Sequence, residues 1–172
     1  PAADLGGGAQ PAVIGVLAAL LARERTGKGQ FVDIAMSDGV VYWLTLFAAS
    51  AYGKGESPRG GEHALLGQYP FYDVYPAKDG HITLGCLEPH FWANRCNAID
   101  RPQYIDAQFD LDQCEAIRED LSEVFRTKTR ADWVVFFEDK NVCMGPSYTI
   151  QEAAADPHNQ ARGMFTDINH PT

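Results

Sequence analysis

The sequence predicts part of a doubly wound α/β sheet, followed by a smaller α+β unit. The first 52 residues have the order helix, short strand, helix, and the residues from 69 onward begin with a strand hairpin and continue with helices. A stretch rich in glycine and charge, residues 53–68, separates the two patterns and predicts a linker. The chain is therefore expected to contribute to two structural units.

The first unit is predicted to contain two apolar helices around one strand. Residues 10–25 are rich in Ala and Leu, which favours a helix, and residues 30–35 read as a short strand. Ser37 or Asp38 can begin the next helix, which should run to about Tyr52. Both helices are apolar nearly all round, so we expect them to be buried on more than one side. Because one strand cannot make a sheet, the remaining strands are expected from sequence outside this chain.

The second unit is predicted to begin with a β-hairpin. Phe71–Tyr75 and His81–Cys86 have strand-like sequences, and Lys78-Asp79-Gly80 between them is typical of a hairpin turn. Helical spacing of apolar residues and a proline at a helix start predict helices further along the chain. One helix is expected to begin at Pro89, and three more are expected over 111–125, 131–138 and about 151–155. Two further strands are expected near 142–144 and 164–168.

Composition and charge exclude several classes of function. The chain has 172 residues, 45% of them hydrophobic, and 14 Lys and Arg against 23 Asp and Glu give a net charge of −9. A surface of this sign repels the phosphates of nucleic acid and of an anionic membrane. The longest apolar runs, residues 12–22 and 40–49, are shorter than the ~20 residues that span a bilayer. We therefore expect neither a nucleic-acid nor a membrane partner.

The cysteines predict a reduced, cytoplasmic protein without a metal site. No two of them form a Cys-x-x-Cys pair, and none has zinc-ligand spacing to histidine. A chain of this length does not need disulfides for stability, so most of them are expected to be buried thiols. The chain begins Pro-Ala-Ala-Asp and stops within a predicted strand, so it is expected to be a piece of a longer protein.

Asp4 is the first candidate for chemistry because three consecutive glycines follow it closely. A carboxylate just before a helix lies in the field of unpaired backbone N–H groups, which can hold the carboxylate or an oxyanion forming beside it. A helix cap or turn is the alternative explanation. A cap requires none of Gly6, Gly7 and Gly8, and these glycines favour a place where the backbone approaches a ligand closely.

Glu88 is the second candidate, at a turn from strand to helix. Pro89 keeps it out of the helix that follows, and the positive helix N-terminus stabilises its carboxylate, which by itself could explain the residue. His90 is expected to be exposed in the first helical turn. Tyr72 lies on an aromatic strand, where a place in the core or at its rim is the simpler interpretation.

Five segments follow one another along the chain in a recognisable order. They are Asp-Leu-Gly-Gly-Gly at 4–8, GVLAALLARERTGKGQFVDIAMSDG at 15–39, PFYDVYPAKDGHITLG at 70–85, LEPHFW at 87–92 and GPSYTIQEAAADPHNQARGMF at 145–165. Their order resembles the class III CoA-transferases, and in particular their α-methylacyl-CoA racemase branch. This family also includes proteins labelled carnitine dehydratase or bile-acid-inducible protein F. The resemblance covers essentially the entire chain, and the Arg-Thr-Gly-Lys-Gly-Gln turn followed by Val-Asp-Ile-Ala-Met-Ser-Asp-Gly is its most specific part.

The resemblance implies a large Rossmann-like domain built from both ends of a longer chain, with a small α+β domain inserted between them. On that map residues 1–52 belong to the large domain, 53–68 form the linker, 69–156 form the small domain and 157–172 return toward the large domain. Two such chains interlock in this family, so a homodimer is expected. The implied substrate is an acyl-CoA thioester, with coenzyme A entering as part of the substrate, no permanently bound cofactor and no metal.

The resemblance also assigns roles to residues. Asp4 matches the family's catalytic aspartate, which attacks the acyl-CoA in transferases and exchanges the α-proton together with a histidine in racemases. Glu88 matches the supporting glutamate of the racemases. The glycine-rich segment from Gly60 to Gly67 could close over the site. The expected substrate-binding residues are Gly6, Gly7, Gly8, Gly60, Gly61, Gly67 and Tyr72.

Three functions remain open at this point. The racemase histidine lies upstream of the aspartate, so none of the five histidines here can be assigned to it. Racemases typically show Leu-Asp-Gly-Gly-Ala-Pro where residues 65–70 read Leu-Leu-Gly-Gln-Tyr-Pro, which weakens the racemase assignment, whereas Leu-Glu-Pro-His-Phe-Trp strengthens it. Racemisation of 2-methylacyl-CoA, CoA transfer to a carboxylic acid and a non-catalytic dimerising module are the alternatives. The 172-residue chain alone is expected to be inactive.

Overall fold

The computed structural model describes residues 1–57 and 59–169, which form two compact units. The division falls between Arg59 and Gly60, inside the segment predicted as a linker. The first unit is helical and the second combines helices with a small antiparallel sheet.

The helices of the first unit largely follow the sequence prediction. A π-helix at Ala3–Ala9 continues directly into α1 (Gln10–Thr26), and α2 (Met36–Trp43) and α3 (Thr45–Lys54) follow. The helix predicted over residues 10–25 is confirmed. The second predicted helix is divided in two, because at Leu44 the ψ angle is 0° and its N–H donates to the carbonyl of Val41, three residues back, at 3.1 Å. This tightened turn ends α2 before α3 begins.

The strand predicted over residues 30–35 does not form. No residue from 28 to 35 belongs to a helix or strand, and the described residues of the first unit contain no strand. A strand needs a neighbour for its backbone hydrogen bonds, and none is present in this unit. The segment instead lies along α1, where Val32 and Ile34 approach Gly15 so closely that a Cβ on that glycine would meet them at 2.9 and 3.1 Å.

The expectation that both apolar helices are buried is wrong for the chain as described. No residue of α1 is buried, and Ile14 exposes 68% of its surface. The helical stretch Ala3–Thr26 is 24 residues long and contains an 18-residue window with a mean hydropathy of 1.7, enough by length and composition to cross a membrane. The core helix of a soluble protein can have the same length and composition, so this helix does not show a membrane partner. The absence of a membrane partner stays a prediction. The short apolar runs of the sequence no longer support that prediction, because the helix is longer than either run.

Glycines allow the π-helix and α2 to cross in direct backbone contact. A Cβ on Gly39 would overlap the carbonyl oxygen of Gly7 and lie 2.6 Å from the Cα of that residue. Such distances are far inside van der Waals contact, and backbone atoms cannot move aside as a flexible side chain can. The crossing therefore requires glycine at position 39.

We expect Gly39→Ala to lower the free energy of unfolding by about 3 kcal/mol, because the added methyl group forces the two backbones apart. Gly53→Ala is the matched control, since nothing lies within 4 Å of a Cβ at that helical position. The control should gain about 0.5 kcal/mol from the better helix propensity of alanine. Urea denaturation of both variants measures the difference, and equal stabilities would contradict the observed crossing.

The second unit contains a three-stranded antiparallel sheet in the order β1 (Tyr72–Ala77), β2 (Gly80–Gly85), β3 (Met144–Pro146). β1 and β2 form the predicted hairpin, with Ala77 opposite Gly80. Gly80 has φ +151°, a value that favours glycine. The third strand lies at the end of the predicted segment 142–144 and extends beyond it, with Met144 opposite Leu84.

The core of the second unit lies against one face of this sheet. Helices cover that face and bury large aromatic side chains, among them Trp92 and Trp133. Both indole N–H groups donate to backbone carbonyls at 2.8 Å, so these residues are buried without an unpaired donor. The helices are α4 (Pro89–Ala98), α5 (Cys114–Phe125) and α6 (Arg130–Phe137), with single 3₁₀ turns at Pro102–Tyr104 and Leu111–Gln113.

Beyond the sheet the chain remains helical. α7 (Ile150–Ala155) confirms the predicted helix, and α8 (Pro157–Ala161) was not predicted. Asp156 caps α8 by accepting hydrogen bonds from the N–H groups of His158 and Asn159. The strand predicted at 164–168 is wrong, because the described residues after Gly163 have neither helix nor strand and pair with no neighbour. Residues 170–172, the end of the predicted return segment, lie outside the described residues.

Arg95 is a charged side chain in the core. It is fully buried, and its guanidinium carbon lies 3.7 Å from the centre of the Trp92 ring. In the described part of the chain none of its three side-chain nitrogens has a hydrogen-bond partner. Burial lowers the pKa of the guanidinium, since the charged form loses its hydration. The contact with Trp92 offsets only part of this cost.

We expect Arg95→Leu to raise the free energy of unfolding by about 1–2 kcal/mol, because an apolar side chain leaves no buried donor unsatisfied. Arg95→Gln keeps a buried amide and should give no such gain. The midpoints of urea denaturation for the two variants test this expectation. A lower midpoint for Arg95→Leu than for the unmodified protein would show that the contact with Trp92 outweighs the cost of burial.

Candidate active site

Asp4 lies within the π-helix of the first unit and is exposed. The structure rules out a helix cap, since Ala2 occupies the N-cap position and no side chain makes a capping hydrogen bond there. The carboxylate therefore lies in the first turn of a helix, where the unpaired backbone N–H groups favour negative charge. An exposed carboxylate in such a field can act as a base or a nucleophile.

The glycines after Asp4 face the second helix of the same unit. A Cβ on Gly6 would lie within 2.5 Å of the Trp43 ring, and one on Gly8 would lie 2.9 Å from Met36. Gly7 is buried against Val40 in the same way. The close approach predicted at these glycines is thus made to the chain's own helix. Their binding of substrate stays a prediction, and close packing alone accounts for their lack of side chains.

Glu88 occupies the N-cap position of α4, with the extended backbone that the proline after it imposes. Its carbonyl accepts the N–H groups of Phe91 and Trp92, whereas its side chain caps none of the helix. The carboxylate is exposed at a helix N-terminus and available to a partner outside the helix. His90 is exposed, as predicted, and Trp92 lies in the core.

Asp4 and Glu88 belong to different units, so the structure describes the surroundings of each carboxylate separately.

The other residues predicted to bind substrate lie in the second unit. Gly60 and Gly61 lie in an exposed turn, and a Cβ added to either glycine would meet nothing within 4 Å. Gly61 has φ +83°, which favours glycine for its backbone conformation. Gly67 and Tyr72 lie together at a cavity in the second unit.

This cavity lies on the face of the sheet opposite the core and has a volume of about 650 Å³. Its floor is formed by the three strands, and the turn containing Leu65, Leu66 and Gly67 forms one wall. A volume of this size suits a small organic ligand or one part of a larger one. The complete lining is Leu65, Leu66, Gly67, Tyr72, Asp73, Val74, Thr83, Leu84, Gly85, Cys143, Met144 and Gly145.

The lining is mostly apolar. Among the described residues it contains one carboxylate and no positively charged side chain. Thr83 donates its hydroxyl to the carbonyl of Gly145 at 3.1 Å, so this polar group is already paired. Asp73 is the charged residue of the lining, and its carboxylate is 2.8 Å from the guanidinium of Arg118. No Lys, Arg or His among the described residues lines the cavity. It therefore favours an apolar group over an anionic one.

Arg118 is the residue of this region that sequence reasoning missed. Besides Asp73, its guanidinium reaches the carbonyl of Gly67 at 2.9 Å, which attaches the wall of the cavity to α5. Burial lowers the pKa of Arg118, but Asp73, Tyr75 and Glu115 together raise it by more, so the pKa of the guanidinium is raised overall. The signal in the sequence was weak: in the helix predicted over 111–125, either Ile117 or Arg118 falls at the spacing of the apolar residues.

The part of the chain that the structure describes holds no group of three or more His, Cys, Asp or Glu that could bind a metal ion.

All four cysteines are free, three of them buried and Cys143 exposed, which agrees with the prediction of thiols. Tyr75 shows how tightly the core face is packed, since burial raises the pKa of its phenol well above its usual range.

Comparison with known proteins identifies the family of the chain. The sequence profile of CoA-transferase family III matches residues 1–172, the whole chain. The chain belongs to CoA-transferase family III. The resemblance noted from the order of its segments is thereby confirmed.

Members of CoA-transferase family III with different activities are similar to this chain to the same degree. It is 32% identical to the alpha-methylacyl-CoA racemase of Homo sapiens over 166 residues, which are 95% of this chain and 43% of the racemase. It is also 32% identical to the succinyl-CoA:mesaconate CoA-transferase of Haloarcula hispanica over 164 residues, 92% of this chain and 40% of that enzyme. The chain thus spans less than half the length of these relatives.

A solved structure in CoA-transferase family III shares the fold. A CAIB/BAIF family protein from Brucella suis superposes with a TM-score of 0.67 at 26% identity, over 92% of this chain and 43% of that one. The mixed arrangement of helices with a small antiparallel sheet is therefore that of the family. The Rossmann-like character of the first unit stays a proposal, since its predicted strand is not formed.

Proposed function

We propose that the protein racemises 2-methylacyl-CoA thioesters by removing the α-proton and returning one to the opposite face. The apolar lining of the sheet cavity is the observation that carries this proposal. A branched acyl chain can fill a cavity bounded by Leu66, Tyr72 and Val74 and gain free energy by leaving water. Gly67 and Tyr72, both expected to bind substrate, lie in the same lining.

The charges at the cavity disfavour dicarboxylic acyl groups. The free carboxylate of a succinyl or oxalyl thioester would need a cation or several hydrogen-bond donors once it left water. The described lining offers neither, and its one carboxylate, Asp73, is already paired with the guanidinium of Arg118. Arg118 is already committed to Asp73 and to the carbonyl of Gly67. An acyl group without a second carboxylate is the better fit.

The chemistry assigned to Asp4 follows from its exposed position in the first helical turn. Its carboxylate takes the α-proton, the electron pair of the Cα–H bond moves into the thioester as an enolate, and a proton returns to the other face from a second base. The second base comes from outside the described residues. Glu88 is given the supporting role that its match to the family motif implies. Coenzyme A is the carrier part of the substrate.

The wider proposal includes an interlocked homodimer in the cytoplasm, with residues 1–52 in the large domain and 69–156 in the small domain. The exposed apolar side chains of α1 support association, because contiguous apolar surface of this kind is normally covered. Gly6, Gly7, Gly8, Gly60 and Gly61 are proposed to border the substrate.

Chiral analysis tests the proposed reaction. The full-length protein is incubated with one enantiomer of a 2-methylacyl-CoA, the thioester is hydrolysed, and the two enantiomers of the acid are separated by chromatography. Racemisation gives both enantiomers in nearly equal amounts. A product that remains a single enantiomer, at protein concentrations where the human racemase epimerises it, would reject the proposal.

CoA transfer to a carboxylic acid is the second candidate, favoured by the equal identity of the chain to a CoA-transferase. In that reaction Asp4 attacks the thioester carbonyl to give a mixed anhydride, and the released CoA thiolate then forms an aspartyl-CoA thioester while the first acid leaves. Hydroxylamine would trap the Asp4-linked CoA thioester, leaving a hydroxamate on Asp4 and releasing free CoA. Steady transfer by an Asp4→Ala variant would exclude this mechanism.

A further inference from the structure

We propose that Arg118 is a positioning residue for acyl-CoA binding, because its guanidinium fixes the turn that forms one wall of the sheet cavity. The turn, named here the wall turn, comprises residues 63–68. The attachment of this turn to Arg118 is a contact within the second unit and does not depend on the proposed function. The consequence for substrate affinity rests on the proposed function, which places the acyl group in this cavity.

The guanidinium joins three parts of the unit. Its Nη2 donates to the carbonyl of Gly67 in the wall turn at 2.9 Å, and its Nε donates to the Asp73 carboxylate on β1 at 2.8 Å. Arg118 itself belongs to α5, 51 residues after Gly67. The side chains of Arg118 and Asp73 expose only 27% and 24% of their surface, so water screens the pair less than a fully exposed one. These contacts set the distance between the wall turn and the floor of the cavity.

Hydrogen bonds within the wall turn shape it. His63 organises one end, since its carbonyl accepts the N–H of Leu66 at 2.8 Å and its Nδ1 accepts the N–H of Leu65 at 3.2 Å. Gly67, at the other end, has φ +83°, a conformation that glycine adopts without strain. Local bonds shape the turn, and the bond from Arg118 anchors it to the rest of the unit.

Arginine is required for this arrangement because its planar fork presents several donors in fixed directions. A lysine ammonium is a single point of charge on a flexible stem, so it can pair with Asp73 but cannot hold Gly67 in the same geometry. The Oδ1 of Asp73 is engaged by the N–H of Val74 at 2.7 Å, which holds the carboxylate in place for the guanidinium. Arg118→Lys should therefore restore charge pairing without restoring the anchor.

Arg101 provides a matched control. Its Nε lies 2.7 Å from the Asp120 carboxylate, and the two side chains are 31% and 25% exposed, close to the values for Arg118 and Asp73. Neither Arg101 nor Asp120 lines the cavity. Arg101→Met thus removes a comparable ion pair from the same unit without touching the wall turn.

Two readouts in the full-length protein test the proposal on Arg118→Met, Arg118→Lys and Arg101→Met. The first is hydrogen–deuterium exchange of peptides covering residues 63–68, and the second is the steady-state kinetics of 2-methylacyl-CoA epimerisation. We expect Arg118→Met to speed exchange of the wall turn and to raise KM, each by about tenfold, with kcat within about twofold. Arg118→Lys should fall between it and the unmodified protein, and Arg101→Met should change neither readout.

The outcomes separate this proposal from the proposed function. If Arg118→Met and Arg101→Met leave the exchange of the wall turn equal, Arg118 does not anchor it and the proposal is overturned. A lower kcat at unchanged KM would likewise overturn the positioning role. If exchange changes as expected but the unmodified protein does not epimerise 2-methylacyl-CoA, the anchor is upheld and the proposed function alone is rejected.

Discussion

Replacing Asp4 with Asn is expected to lower the rate of α-proton exchange on 2-methylacyl-CoA by about a thousandfold. The amide has nearly the shape of the carboxylate but cannot accept the α-proton, and positioned general bases contribute factors of about 10²–10⁴. Asp4 is exposed and makes no capping hydrogen bond, so the substitution should leave the fold intact. The loss should fall on kcat, since proton removal occurs only in the chemical step.

Glu24→Gln is the control for this prediction, because it removes an exposed carboxylate from α1 in the same unit. Its exchange rate should match that of the unmodified protein. Circular dichroism of both variants establishes that the helices persist. If Asp4→Asn keeps more than a tenth of the exchange rate, Asp4 is not the base, and the assignment taken from the family motif fails.

Trp133→Ala should give the largest loss of stability, about 3–5 kcal/mol in the free energy of unfolding. The indole is 2% exposed and packs edge-on against Phe125, with ring centres 5.1 Å apart. Its N–H also donates to the carbonyl of Phe125 at 2.8 Å, and the truncation leaves that buried oxygen without a partner. Urea denaturation followed by tryptophan fluorescence and circular dichroism measures the change.

Two further variants define the cause of this loss. Trp133→Phe keeps much of the ring volume but not the N–H, so it should cost less than the alanine variant. Val135→Ala, at a position 70% exposed on the same helix, should change stability by less than about 0.5 kcal/mol. A loss at Val135 as large as that at Trp133 would mean that the core is not where the structure places it.

Local sequence signals predicted the second unit well because they act over short distances. The Lys78-Asp79-Gly80 turn and the strands around it need only each other, and the hairpin forms as expected. The strand at 30–35 depends on neighbours that the described first unit does not contain, so its sequence pattern could not form a ladder. Burial of the apolar helices depends on the same missing neighbours.

The candidate site was predictable where a short motif carries it. Asp4 and Glu88 stand out because each precedes or begins a helix and matches a family segment, and both are exposed in the structure. The cavity was only partly predictable, since Gly67 and Tyr72 were named and the rest of its lining was not. Arg118 meets Gly67 across 51 residues, and no local pattern reports a contact of that length.

Proton NMR of 2-methylacyl-CoA in D₂O, with the full-length protein and no acceptor acid, tests the central claim most directly. Racemisation exchanges the α-proton with solvent, so the α-proton signal should disappear and the methyl doublet should collapse, while Asp4→Asn leaves both unchanged over the same time. An α-proton signal that persists with the unmodified protein would contradict racemisation and leave CoA transfer through Asp4 as the function to pursue.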